Sequence, residues 1–95
     1  MIESIPEIPA EKMALFKAFN KLCPSRTIFA TNTSMLLPSM FAEASGRPDR
    51  LIAMHFNTYV WNSNVVDIMP HPGTTEETLN LVRSFALRIG QIHFV

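Results

Sequence analysis

Short continuous apolar runs alternate along this chain with stretches in which apolar residues recur every three or four positions, the pattern of strands alternating with helices. Residues 2–5 read as a short strand, and Pro6 and Pro9 break it and set up a helix, because proline fits the first helical turn where its missing N–H is not needed. Over residues 10–23, Leu15, Phe16, Phe19, Leu22 and Cys23 fall on one helical face, Lys12, Asn20 and Lys21 fall away from it, and Pro24 ends the pattern. "TIFAT", residues 27–31, is β-branched and aromatic and runs into the polar cluster "NTS", as a buried strand runs into a loop. Residues 38–44 predict a shorter helix with Gly46 as its stop, and "RPDR" predicts a turn. "LIAMHF", residues 51–56, is the unbroken apolar run of a parallel strand covered on both faces. An asparagine-rich loop then leads to a strand at 65–69. In the last helix Thr74 and Glu77 have the spacing of a capping box, Leu79, Val82, Phe85, Ala86 and Ile89 form the buried stripe, and Gly90 closes it; "QIHFV" is the final strand.

This alternation predicts an α/β fold: a mostly parallel, Rossmann-like sheet with flanking helices. A dinucleotide site in such a sheet needs a glycine-rich turn between strand and helix, and the glycines here, Gly46, Gly73 and Gly90, stand far apart. The chain also opens directly in a strand, leaving one sheet edge bare. Residues 1–95 therefore read as a single partial domain, the C-terminal half of a dinucleotide-binding domain.

Composition narrows the function. Eight basic residues balance eight acidic ones with no block of like charge, so the electrostatic footprint of a nucleic-acid or anionic-lipid partner is missing. Apolar runs are strand length, well short of the ~20 residues that span a bilayer, and the first residues carry acids where a secretory signal carries bases. Cys23 is the single cysteine, which excludes an internal disulfide and CxxC zinc sites and fits a reducing, cytoplasmic setting. His71 and His93 lack partners at metal-ligand spacing and read as surface or sheet residues, and no metal site is expected.

The candidate chemistry lies in "LIAMHFNTYVWNSNVVDIMP", where His55 ends one apolar run and Asp67 sits in the next. Alone, a histidine at a strand end is more often a satisfied structural group, Asp67 reads as a turn cap, and Ser34 as a loop hydroxyl. A hydrolase triad of Ser34, His55 and Asp67 lacks the G-x-S-x-G elbow and any source of an oxyanion hole. Tyr59 and Trp61 read as packing aromatics of the loop.

In order, "IESIPE", "EKMALFKAFNKL", "TIFATNTS", "GRPDRLIAMHF", "VVDIMP" and "TTEETLNLVRSFALRIG" resemble the 3-hydroxyacyl-CoA dehydrogenase family, over the back half of its NAD-binding domain. "ATNTS" is similar to the family's strand-end "SNTSS", and "GRPDRLIAMHF" to its "RPDRFxGxHF", which an acidic residue follows about a dozen positions on. The resemblance implies an NAD-dependent oxidation of the 3-hydroxyl of a hydroxyacyl-CoA, with His55 as catalytic base, Asp67 as its carboxylate partner and Ser34 on the substrate oxygen. It places Glu7 and Lys12 near the nicotinamide and the substrate, and Asn32 in the loop beside the cofactor. A histidine suits the task because it titrates near neutrality and can take or return the hydroxyl proton.

The chain departs from the family where "HFFNPxPxMKLVE" becomes "HFNTYVWNSNVVD": Asp67 is one methylene shorter than the family glutamate, and Thr58 and Tyr59 replace asparagine and proline. Met35 replaces the second serine of "SNTSS". These changes leave a related hydroxyacid dehydrogenase open as the activity. The alternative of another class is a non-catalytic, truncated or degenerate domain that pairs through its bare strand at residues 2–5, as in a homodimer.

Overall fold

The computed structural model describes residues 1–33, 36–57 and 64–95. Five strands form one sheet in chain order: β1 (Ile2–Glu3), β2 (Phe29–Thr31), β3 (Leu51–Phe56), β4 (Val65–Pro70) and β5 (Ile92–Phe94). Helix α1 (Pro9–Leu22) joins β1 to β2, and α2 (Glu76–Arg88) joins β4 to β5. β1, β2 and β3 pair in parallel, β4 runs antiparallel to β3, and β5 returns parallel to β4. Connection length accounts for the one reversal. Residues 57–64 are too few for the dozen-residue crossover that a parallel neighbour needs. The mostly parallel α/β expectation therefore holds.

The helices cover opposite faces. On one face Phe16 of α1 meets Phe29, Phe41, Ala42 and Leu51; on the other Val82 and Ala86 of α2 meet Ala30, Ile52, Met54, Val66 and Ile68. Side chains alternate across the sheet, so Glu3, Thr31 and Ala53 share the α1 face. His55 and Asp67 continue that face on β3 and β4.

Several local expectations need correction. Lys12 does not point away from the protein but is fully buried, for reasons given below. Phe19 and Leu22 are exposed instead, as are Phe85 of α2 and Ile89 at its C-cap, because the sheet reaches only the central row of each helix. Leu81 and Phe85 rim an apolar hollow of about 460 Å³ with Met1, Ile2, Ile28 and Met54. The N-cap of α2 is Thr75, whose hydroxyl accepts from the Thr78 N–H, and not Thr74. The Thr74 hydroxyl is already used, donating to the Leu51 carbonyl and accepting from the His71 N–H.

The helix expected at 38–44 is a single 3₁₀ turn, Pro38–Met40, followed by turns. Ser45 donates its hydroxyl to the Ala42 carbonyl and accepts from the Arg47 N–H, a local alternative to helical bonding. Gly46 follows at φ +72°, and a Cβ there would collide with the Asn20 side chain. "RPDR" forms a second 3₁₀ turn, Pro48–Arg50.

Arg47 anchors this region. It is 7% exposed, stacks on the Phe29 ring at 4.2 Å, and donates to the Asn20 side chain and to the carbonyls of Asn20, Cys23, Pro24 and Thr27. These acceptors gather the end of α1 and the approach to β2, where the helix dipole also favours a cation. Lysine has neither the planar fork nor enough donors for this ring of oxygens, so Arg47→Lys is expected to cost about 2–3 kcal/mol. Thermal denaturation checks it, and an unchanged melting curve would show that the carbonyl ring does not hold the fold.

Candidate active site

Ligands of open α/β sheets bind outside the carboxyl ends of the parallel strands, which here are Glu3, Thr31 and Phe56. His55 stands one residue before the end of β3, directly across from Asp67 in the antiparallel ladder, so the two side chains leave the sheet on the same side. Both are half-buried. No hydrogen bond or ion pair among the described residues joins them. The His55 Nδ1 atom instead faces the Asn32 carbonyl at 3.4 Å.

Asn32 ties all three parallel strand ends together. Its N–H donates to the Glu3 carbonyl at 2.8 Å, and its side-chain Oδ1 accepts from the Phe56 N–H at 2.8 Å. On the far side of β3, Asn57 donates its side-chain amide to the Val65 carbonyl.

A second cluster lies deeper. The Lys12 Nζ atom is 2.7 Å from Glu3 Oε1 and 3.0 Å from Glu7 Oε1, with essentially none of the Lys12 or Glu3 side chains exposed. Glu3 also accepts from the Ile5 N–H and, through Oε2, from the Thr31 hydroxyl at 2.6 Å. Thr33 donates to Glu7 Oε2 at 2.6 Å and accepts from the Leu36 N–H, which fastens the loop after β2 to the same group. Burial of Lys12 follows from this arrangement, since two carboxylates satisfy its ammonium. Helical periodicity counts a lysine as solvated. Only the packing of α1 over β1 reveals the carboxylate beneath it.

Glu7 sits at the outer end of the cluster with its side chain one-third exposed. Ser34, Tyr59 and Trp61 lie outside the described residues. His71 is occupied structurally: its Nδ1 accepts from the Gly73 N–H and its Nε2 reaches the Pro48 carbonyl at 2.7 Å. Glu3, Thr31, Thr33 and Arg47 are polar groups that the sequence did not single out. Each is buried although a residue beside it in sequence is exposed or half-buried, so no local pattern marks them.

Among the described residues no three acidic, histidine or cysteine side chains gather as metal ligands, and no helix is long and apolar enough to cross a membrane.

The model of the 3-hydroxyacyl-CoA dehydrogenase NAD-binding domain matches residues 1–95. A probable 3-hydroxybutyryl-CoA dehydrogenase of Bacillus subtilis is 37% identical over 91 residues, which are 96% of this chain and 32% of that protein. The structure of (S)-3-hydroxybutyryl-CoA dehydrogenase from Ralstonia eutropha superposes with a TM-score of 0.94 at 26% identity, over 98% of this chain and 33% of the other. A diketoreductase structure, described as acting on dicarbonyl compounds, has a TM-score of 0.94 at 38% identity, again over 98% and 33%. The chain thus spans about a third of the length of these proteins.

Proposed function

Because the chain belongs to the family of 3-hydroxyacyl-CoA dehydrogenase NAD-binding domains, we propose that it forms the second, catalytic half of such a domain, in an oxidoreductase that interconverts the 3-hydroxyl and 3-oxo groups of a hydroxyacyl-CoA. The observation that carries this reading is the placement of His55 at the carboxyl end of a parallel strand, on the same face as Asp67 and beside the polar end of β2. That is where an α/β sheet offers its binding crevice.

NAD is the cofactor of the family and, when bound, supplies the acceptor for the hydride. Supporting a nicotinamide end here, Asn32 and Glu7 both belong to the polar groups at the carboxyl ends of β1 and β2, through the Glu3 carbonyl and the Thr33 hydroxyl. No glycine-rich turn for a pyrophosphate exists among Gly46, Gly73 and Gly90, so that part of the site comes from a segment other than residues 1–95. His55 takes the hydroxyl proton on Nε2, and the Asp67 charge across the ladder stabilises the imidazolium. Ser34 holds the substrate oxygen. Lys12, buried between carboxylates, positions Glu7.

Departures at Thr58, Tyr59 and Asp67, together with the likeness to a diketoreductase, favour as second reading a related hydroxyacid dehydrogenase working on another 3-oxo compound. Family membership does not favour a non-catalytic module that pairs through residues 2–5.

The test is a chimera in which this chain replaces the matching segment of the Bacillus subtilis relative. It is expected to reduce acetoacetyl-CoA with loss of the NADH absorbance, while the 95-residue chain alone shows no saturable NADH binding by fluorescence. A folded but inactive chimera, or turnover by the chain alone, overturns the half-domain reading.

A further inference from the structure

A catalytic histidine needs one ring nitrogen protonated and engaged so that the other presents a lone pair. Two groups of this chain are placed to do that for His55. Asp67 is its ladder partner, but no hydrogen bond or ion pair among the described residues joins them. The other is the Asn32 carbonyl, 3.4 Å from Nδ1.

A carbonyl can only accept, so this contact requires the proton on Nδ1 and leaves Nε2 free as the base. Its length is at the outer edge of hydrogen-bond range, and catalytic hydrogen bonds commonly tighten only when substrate is bound. The same residue fixes the backbone on which the ring stands, through the 2.8 Å bond from the Phe56 N–H to Asn32 Oδ1. Its own position is fixed by the bond from its N–H to the Glu3 carbonyl.

We propose that Asn32 is the positioning residue of His55: its main-chain carbonyl selects the Nδ1–H tautomer, and its side-chain oxygen, by holding Phe56, keeps the ring against that carbonyl. Asp67 acts on the charge of the ring through space and does not choose its tautomer. This division of labour follows from the shorter acid at position 67. It rests on the proposed role of His55 as base, but the ring's tautomer can be read without cofactor or substrate.

The experiment is a ¹⁵N correlation spectrum of the imidazole rings in the full chain, labelled at histidine, above neutral pH, with the His55 signals assigned by their loss in His55→Gln. A single Nδ1–H tautomer is expected in the parent and in Asp67→Asn, a mixture of tautomers in Asn32→Ala, and return to the single form in Asn32→Asp, which keeps the acceptor oxygen. An Nε2–H ring in the parent, collapse of the preference in Asp67→Asn, or no change in Asn32→Ala overturns the proposal. Should Asn32→Ala fail to fold, the parent and Asp67→Asn decide alone. An inactive chimera with an Nδ1–H ring would sink the enzymatic reading and leave this one standing.

Discussion

Replacing His55 by alanine in the chimera is expected to lower the rate of acetoacetyl-CoA reduction by about 10²–10⁴, the usual contribution of a positioned general acid or base. In free energy that is roughly 3–5 kcal/mol of transition-state stabilisation. The loss should fall on kcat, with NADH affinity little changed, because a general base at the end of β3 would act on the proton in flight. His55 is only half-buried, and the one hydrogen bond described for its side chain is the long contact to Asn32. Alanine there should accordingly shift stability by no more than about 1 kcal/mol. Initial rates at saturating NADH, alongside a melting curve, separate the two effects. A folded variant that retains turnover removes His55 from the chemistry.

Lys12 is expected to behave in the opposite way, with a large effect on folding. Substituting methionine keeps the volume but leaves the Glu3 carboxylate buried with only the Ile5 N–H and the Thr31 hydroxyl as donors. Removing one partner of a buried ion pair costs about 3–5 kcal/mol, since the remaining charge has lost its compensation. Small domains hold only ~5–15 kcal/mol in total, so Lys12→Met should lie close to the unfolding threshold. Glu7 contributes less to this penalty, because its partly exposed carboxylate can turn to water.

The double variant Glu3→Gln/Lys12→Met removes both charges while the amide introduced in place of the Glu3 carboxylate still accepts from the Ile5 N–H through its oxygen and donates through its NH2 to the Thr31 hydroxyl, and most of the lost stability should return. Urea denaturation of the parent, the single and the double variant measures it. A single variant within about 1 kcal/mol of the parent would mean that water reaches Glu3 and that the cluster is not a buried pair.

Local pattern was a good guide wherever an element is covered by its own neighbours. β3 occupies residues 51–56 as expected, because an unbroken apolar run admits one state when both faces are buried. Gly90 ends the last helix with φ +82°, a backbone that glycine adopts without strain. Where two polar residues competed for one task the pattern was a poorer guide. Thr74 and Thr75 are both competent caps, and the choice fell to Thr75 because the Leu51 carbonyl, 23 residues away in sequence, takes the Thr74 hydroxyl. Lys12 was read as solvated for a similar reason: its partner Glu3 belongs to another element.

For the candidate site the same division applies. The order of hydrophobic and polar positions, with the motifs at residues 30–34 and 46–56, is enough to specify the family, the α/β class and His55 as a candidate, since these depend on local backbone preference and on residue identity. Only the tertiary structure decided that β4 runs antiparallel and sets Asp67 beside His55, that the Asn32 carbonyl rather than Asp67 meets the ring, and that Lys12 lies between Glu3 and Glu7. Each of these is a juxtaposition of residues on different elements or loops of the chain. Such contacts form when burial strips water from polar groups and leaves them to satisfy one another, a requirement that no single segment carries in its own sequence.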